Sequence, residues 1–311
     1  MIAFGPIPSR RLGQSLGINH IPPKACSYNC SYCQAGLTTQ KTAERQAFYD
    51  PAEVVAAVRE RVRALRAAGE PIDYLSFVPD GEPTLDVHLG EEIDALRPLG
   101  IPIAVITNGS LLWRPEVRAE VARADWVSVK VDTVDERAWM RLDRPTPQLH
   151  LPTVLQGIRD FAREYRGEWV SETMLVAGVN DDEAGVRRVV EFLTEVQPSR
   201  AYLLVPTRPP AEAAVQPPSD AAIARACALF RARLPVVECL VGHETSRFAA
   251  TGELEADLLA TLAVHPMRES AVRDLVRREG ADWSAVERLL AAGRLVPTQY
   301  RGERFFTLGS G

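Results

Sequence analysis

The chain has 311 residues, 46% of them hydrophobic and 25% charged, the make-up of a globular protein with length for about two domains. Disorder, collagen and coiled coil are excluded, and no stretch reaches the roughly 20 consecutive apolar residues that a membrane span needs. A formal net charge of −5 gives no overall basic field for gathering nucleic acid.

Short runs rich in Val, Ile and Leu alternate with longer amphipathic stretches, the pattern of βα units around a parallel sheet. Strands are predicted over Leu16 to Ile21, Ile72 to Val78, Pro102 to Thr107, Trp126 to Val131, Trp169 to Val176 and Ala201 to Val205. Between them lie helical patterns near Pro51 to Ala68, Leu85 to Leu96, Pro115 to Ala124, Thr153 to Tyr165, Asp182 to Val196 and Ala221 to Ala232. Six such units are too few for a closed eight-stranded barrel, which leaves a partial barrel or an open doubly wound sheet. In both, chemistry sits at the C-terminal ends of the strands. After Val241 a polar loop, Gly242 to Gly252, leads to helical patterns near Glu255 to Val264, Glu269 to Glu279 and Ser284 to Ala292. Two strand-like runs, Leu295 to Tyr300 and Arg304 to Leu308, follow around a turn at Arg301-Gly302-Glu303. Three helices and a terminal hairpin describe a winged helix, so the expected division is 1–249 and 250–311.

MIAFGPIPSR lacks the basic start and apolar run of a signal peptide, so a cytoplasmic location is expected. Five cysteines in such a chain are not a disulfide framework. Cys227, in a helical pattern, and Cys239, in a strand-like one, read as small buried residues. Cys26, Cys30 and Cys33 instead fall within eight residues as C-x3-C-x2-C, directly after the first predicted strand and Ile21-Pro22-Pro23. Three thiolates this close suit a sulfur-seeking metal. Zinc is one possibility, but a closed structural zinc site takes four ligands, and the near candidate for a fourth is His20. A cubane iron–sulfur cluster also takes four, so three cysteines leave one iron open to another molecule.

C-x3-C-x2-C with an aromatic, Tyr32, just before the last cysteine resembles the signature of the radical S-adenosylmethionine (SAM) enzymes. The resemblance implies a partial (β/α)6 TIM-like barrel and a [4Fe-4S] cluster whose open iron is chelated by the methionine part of SAM. It further implies reductive cleavage of SAM to methionine and a 5′-deoxyadenosyl radical, which abstracts hydrogen from a substrate. A low-potential reductant such as flavodoxin or ferredoxin is then needed. The second strand ends in Asp80-Gly81-Glu82-Pro83-Thr84, similar to the family's Gly-Gly-Glu-Pro segment, so Gly81, Glu82 and Pro83 are expected at SAM and Glu82 at its ammonium. Asp80 stands where the first glycine is usual. By the same resemblance Tyr32, Asn108 after the third strand, Ser128, Lys130 and Asp132 on the fourth, and Val179 after the fifth are expected to line the SAM pocket. Independently of it, Ser128, Lys130 and Asp132 recur at period two, so they share a face, and charges in an otherwise apolar strand favour a polar pocket.

Arg208, held between Thr207 and two prolines at the sixth strand end, and Arg144 are the candidate substrate contacts, for an anionic group. Ser9-Arg10-Arg11 raises the same question. FGPIPSRRLGQSLGI at Phe4 to Ile18, PTRPPAE at Pro206 to Glu212 and AVHPMRE at Ala263 to Glu269 resemble the wyosine-formation-related iron–sulfur oxidoreductase branch, whose implied substrate is open: a small molecule, a peptide or RNA. Two alternatives stand beside that reading: an enzyme modifying an RNA base, and a non-enzymatic iron–sulfur or metal-binding winged-helix regulator. Residues 251–311 carry eight Arg against nine Asp plus Glu, a net of −1, which disfavours nucleic acid. Only the wing is basic, with Arg294, Arg301 and Arg304 around Tyr300, Phe305 and Phe306.

Overall fold

The computed structural model describes residues 1–242, 248, 250–262 and 265–309. The chain opens with two antiparallel strands, β1 (Ala3–Ser9) and β2 (Gly13–Ile18), paired from Ala3 opposite Ile18 to Ser9 opposite Gly13 with a register shift between Phe4 and Ile7. Two-residue strands β3 (Ala25–Cys26) and β4 (Gln40–Lys41) then pair across the cysteine loop. Helix α1 (Pro51–Ala67) starts as the sequence dictates: the Asp50 side chain accepts from the Ala52 amide, and Pro51 occupies the first turn, where its missing N–H costs nothing. The chain continues through β5 (Tyr74–Phe77), a single 3-10 turn at Pro83–Leu85, α2 (Leu89–Leu96), β6 (Ile103–Thr107), α3 (Pro115–Val121) and β7 (Trp126–Lys130). It goes on through α4 (Glu136–Leu142), α5 (Leu151–Glu164), β8 (Glu168–Met174), α6 (Glu183–Val196), β9 (Arg200–Leu204), α7 (Asp220–Arg231) and β10 (Val237–Leu240).

The sheet runs β1-β2-β5-β6-β7-β8-β9-β10, parallel throughout except for β1. Each strand lies beside its predecessor in the chain, without the reversal that a doubly wound sheet requires. The architecture is therefore a partial TIM-like barrel. Helices cover the outside, and α1 turns Val54, Val58, Val62 and Leu65 into the core. Seven strands are parallel, not six: β10 adds one, and β1 adds an antiparallel edge that the sequence reading lacked. Pro6 and Pro8 interrupt the strand signal of β1, and both are tolerated because β1 is an edge.

Cys227 and Cys239 are corrected by the structure. They are joined in a disulfide, Cα to Cα 6.5 Å, because α7 packs back beside β10. No helix among the described residues is long and apolar enough to cross a membrane.

The C-terminal segment comprises α8 (Leu254–Leu262), β11 (Met267–Arg268), α9 (Glu269–Arg278), α10 (Ser284–Ala291), β12 (Leu295–Tyr300) and β13 (Glu303–Leu308). Its strands form an antiparallel sheet in the order β11-β13-β12, over a core that includes Leu258, Val272, Leu275, Val286 and Phe306. The hairpin turn is the pair Arg301-Gly302, both at positive φ, and Glu303 already belongs to β13. Residues 243–247 and 249 of the expected polar loop, and Ala263 and Val264 at the end of the first expected helix, lie outside the described residues. The wing aromatics are a second correction: Tyr300, Phe305 and Phe306 are all buried, and they supply core rather than a stacking surface. Arg294 pairs with Glu255 and Arg304 with Glu269. The segment docks on the barrel's β1 side, where Arg61 of α1 meets Asp257 of α8 at 2.9 Å. The Tyr300 hydroxyl also donates to the Pro206 carbonyl at 3.2 Å.

Candidate active site at the strand ends

The C-terminal ends of the parallel strands and the loop from Lys24 to Thr38 enclose a cavity of about 350 Å³. That size is ordinary for a small-molecule site. Cys26, Cys30 and Cys33 all border it, and none is in a disulfide. The cysteine loop is tied to the turn after β5 by two backbone bonds, Lys24 N to Asp80 O at 2.7 Å and Glu82 N to Ala25 O at 3.1 Å. The approach is so close that a Cβ on Gly81 would stand 1.9 Å from the Ala25 carbonyl oxygen, so only glycine fits.

Glu82 is buried at the head of this turn. Its Oε1 accepts from the Thr84 amide (3.2 Å) and hydroxyl (2.7 Å) and from the Thr107 hydroxyl, while Oε2 accepts only from the Asn108 amide at 2.7 Å. A carboxylate has about four lone-pair sites, so Oε2 keeps acceptor capacity at the cavity wall. Burial pushes the Glu82 carboxyl up, and these donors oppose that shift. Asn108 reaches the other way, its side-chain amide donating to the Ser27 hydroxyl at 2.9 Å and approaching Cys26 Sγ at 3.7 Å.

On β7, Lys130 Nζ lies 5.1 Å from the centre of the Tyr32 ring. Burial acts to lower its pKa, but Asp132, Glu172, Cys30 and Asp143 together raise it, so the ammonium is held charged. Burial pushes the Cys26 thiol up to about 12, with Glu82 adding to the effect, and raises Cys30 and Cys33 as well. Binding iron through these sulfurs therefore releases protons.

Among the described residues, three or more His, Cys, Asp or Glu ligand atoms lie within 4.8 Å of one another at His20, Asp86 and Glu92. His20, the expected fourth zinc ligand, turns to the Pro83 carbonyl at 3.1 Å. Three free thiols bordering one cavity fit a cluster held through three irons with the fourth open.

The sequence profile of the radical SAM superfamily matches residues 21–189, more than half of the chain. The chain belongs to the radical SAM superfamily. Within it, a UPF0026 protein of Methanocaldococcus jannaschii is 42% identical over 307 residues, 98% of this chain and 95% of its own length. A UPF0026 protein of Helicobacter pylori is 35% identical over 211 residues, 67% of each chain. The fold is shared with a radical SAM methyltransferase from Sphaerobacter thermophilus (TM-score 0.56, 20% identity, 74% of this chain and 67% of that one). It is shared too with a TYW1 carrying a lysine–pyruvate adduct (TM-score 0.53, 17% identity, 71% and 74%). This radical SAM protein is an enzyme whose cofactors are a [4Fe-4S] cluster and SAM.

Of the residues expected at the SAM pocket of this radical SAM enzyme, Tyr32, Gly81, Glu82, Asn108 and Lys130 border the cavity. Pro83, Ser128, Asp132 and Val179 do not border it. Asp132 accepts from the Tyr32 hydroxyl and, at 2.7 Å, from the Met174 amide. Ser128 donates to Glu172 at 2.5 Å. The Val179 amide is engaged by the Val176 carbonyl at 3.2 Å. Of the substrate candidates, Arg208 borders the cavity, whereas Arg144 does not and is bidentate to Glu212.

Glu172, which pairs with Arg11, was missed: it lies in a strand of mixed polarity, EWVSETM, where a carboxylate does not stand out. Asp143, which accepts from Cys30 Sγ at 3.5 Å and from the Tyr32 hydroxyl at 3.3 Å, carried no local signal beyond a charged loop.

Proposed function

We propose that this protein cleaves SAM reductively and directs the resulting radical at an anionic substrate held at the mouth of the barrel. The carrying observation is convergence: three free cysteines, Glu82, Lys130, Arg10 and Arg208 border one cavity. In this reading Cys26, Cys30 and Cys33 hold three irons and leave the fourth for the methionine end of SAM. Bound there, cluster and SAM supply the cleavage to methionine and a 5′-deoxyadenosyl radical that abstracts a substrate hydrogen.

The chain's own residues orient the parts. Glu82 Oε2 takes the methionine ammonium, and Lys130 takes an oxygen of the SAM carboxylate or ribose. Asp132 positions Tyr32 under Lys130, and Ser128 holds Glu172 against Arg11, neither of them bordering the cavity. Arg10 and Arg208 are pushed down to about 10 and about 9, by burial first and then by neighbouring arginines, Arg11 among them. Such crowded cations favour an anion between them, and a guanidinium grips carboxylate or phosphate bidentately.

We read the C-terminal segment as a winged-helix unit that covers this mouth. His265 borders the cavity and Tyr300 bonds the Pro206 carbonyl, while the buried wing aromatics offer no base a platform. Electrons come from a low-potential donor of the flavodoxin or ferredoxin kind.

After anaerobic reconstitution with iron and sulfide, SAM and dithionite should yield 5′-deoxyadenosine from the wild type and none from Cys30→Ala. Product from both, or from neither, would refute the cleavage. Pyrophosphate, as an anion probe, should raise the melting temperature of the wild type and not of Arg208→Gln. An equal response in the two would remove the anionic substrate while leaving the cleavage standing.

A further inference from the structure

Outside the cofactor cavity, three titratable side chains meet where no solvent reaches. His20 follows β2 on the way to the cysteine loop, Asp86 closes the 3-10 turn begun by Pro83, and Glu92 lies in the first turn of α2. Each is 0% exposed, and one ligand atom from each lies within 4.8 Å of the other two. None of the three borders the cavity.

Their unmet bonding is concentrated. Seven buried side-chain N or O atoms among the described residues lack a hydrogen-bond partner, and four of them are here: His20 Nδ1, Asp86 Oδ2 and both oxygens of Glu92. Buried polar groups are nearly always satisfied, so four orphaned atoms on three adjoining side chains need an explanation.

The second contacts of these residues are those of metal ligands. His20 Nε2 donates to the Pro83 carbonyl at 3.1 Å, while Nδ1 has no partner in hydrogen-bond geometry, the backbone of Ile18 standing near the ring. Asp86 Oδ1 accepts from the His88 amide at 2.8 Å, leaving Oδ2. The imidazole edge rests on Phe77, ring centres 5.0 Å apart. A neutral imidazole with two carboxylates balances a divalent charge, and mixed nitrogen and oxygen donors suit a transition metal better than calcium or magnesium.

We propose that His20, Asp86 and Glu92 form a second metal site, binding one divalent transition-metal ion in addition to the iron–sulfur cluster. Zinc-like bonds of about 2.0–2.2 Å ask only a small inward movement of the three side chains. The ion joins the approach to the cysteine loop, the end of the Glu82 turn and α2, and so fixes the turn that bears Glu82. Burial acts in the same sense: it lowers His20 to about 4, keeping it in its ligand form, and raises Asp86 to about 6 and Glu92 to about 9, a penalty that a bound cation removes.

The test uses the full chain carrying its cluster. After incubation with zinc and desalting, elemental analysis should find one zinc per chain besides the cluster iron, and zinc should raise the melting temperature. Glu92→Gln and Asp86→Asn should keep the cluster iron, bind zinc at least tenfold more weakly and lose the thermal response. A Cys26→Ala, Cys30→Ala, Cys33→Ala chain should still bind one zinc, and cobalt in its place should show visible bands without sulfur-to-cobalt absorption. Absence of zinc in the wild type, equal zinc in both carboxylate variants, or zinc lost only with the cysteines would overturn the proposal. A wild type free of zinc beside an equally stable Glu92→Gln would mean instead that Asp86 and Glu92 share a proton.

Discussion

Gly81 carries more of the site than its size suggests. Its backbone lies against the Ala25 carbonyl, and the contact that excludes a Cβ also brings Glu82 over the cysteine loop. Gly81→Ala must push two backbones apart, and overpacking of this kind costs about 1–3 kcal/mol. The expected result is a lower melting temperature together with less than half of the wild-type iron per chain after reconstitution; unchanged iron would show that the two loops are independent. The three cysteines and Lys130 were singled out by local spacing and Glu82 by the resemblance of its turn, and all five border one cavity. Asp132 was singled out in the polar period of Ser128 and Lys130, just past the end of β7, but not as the brace of Tyr32, since that bond joins residues 100 apart.

Helix α5 illustrates how the elements hold. Phe161 on its buried face stacks on Tyr165 at 4.9 Å and meets Trp169 of β8 edge-on at 6.2 Å, linking helix to strand. Phe161→Ala should therefore cost about 3–5 kcal/mol, read as a lower urea midpoint at unchanged slope. A loss below 1 kcal/mol would contradict the packing. The apolar runs of β5, β6, β7 and β9 were found within a few residues because strands buried on both faces have little else to be. In contrast, β1 is broken by prolines, β10 has four residues of mixed polarity, and α4 has seven residues and a weak pattern. The Cys227–Cys239 bond was hidden for another reason. The contact that makes it is the packing of α7 beside β10, which no local pattern encodes.

At the scale of the whole molecule, the sheet order places the ends of β5, β6, β7, β8 and β9 around one cavity, and the C-terminal segment closes on it through His265 and Tyr300. The number of βα units suggested a barrel or an open sheet, and the unreversed strand order decides for the partial barrel. The wing's aromatics, counted from the sequence toward a modest nucleic-acid contact, are buried, because burial cannot be seen in a composition. The claim on which everything else depends is that cluster and SAM occupy the same cavity. Electron paramagnetic resonance of the anaerobically reconstituted, dithionite-reduced protein, recorded with and without SAM, tests it most directly. The expected result is a [4Fe-4S]+ signal whose g-values move when SAM is added, and a smaller displacement in Glu82→Gln. A cluster signal indifferent to SAM, or stoichiometric zinc on the three cysteines and no cluster signal, would contradict it.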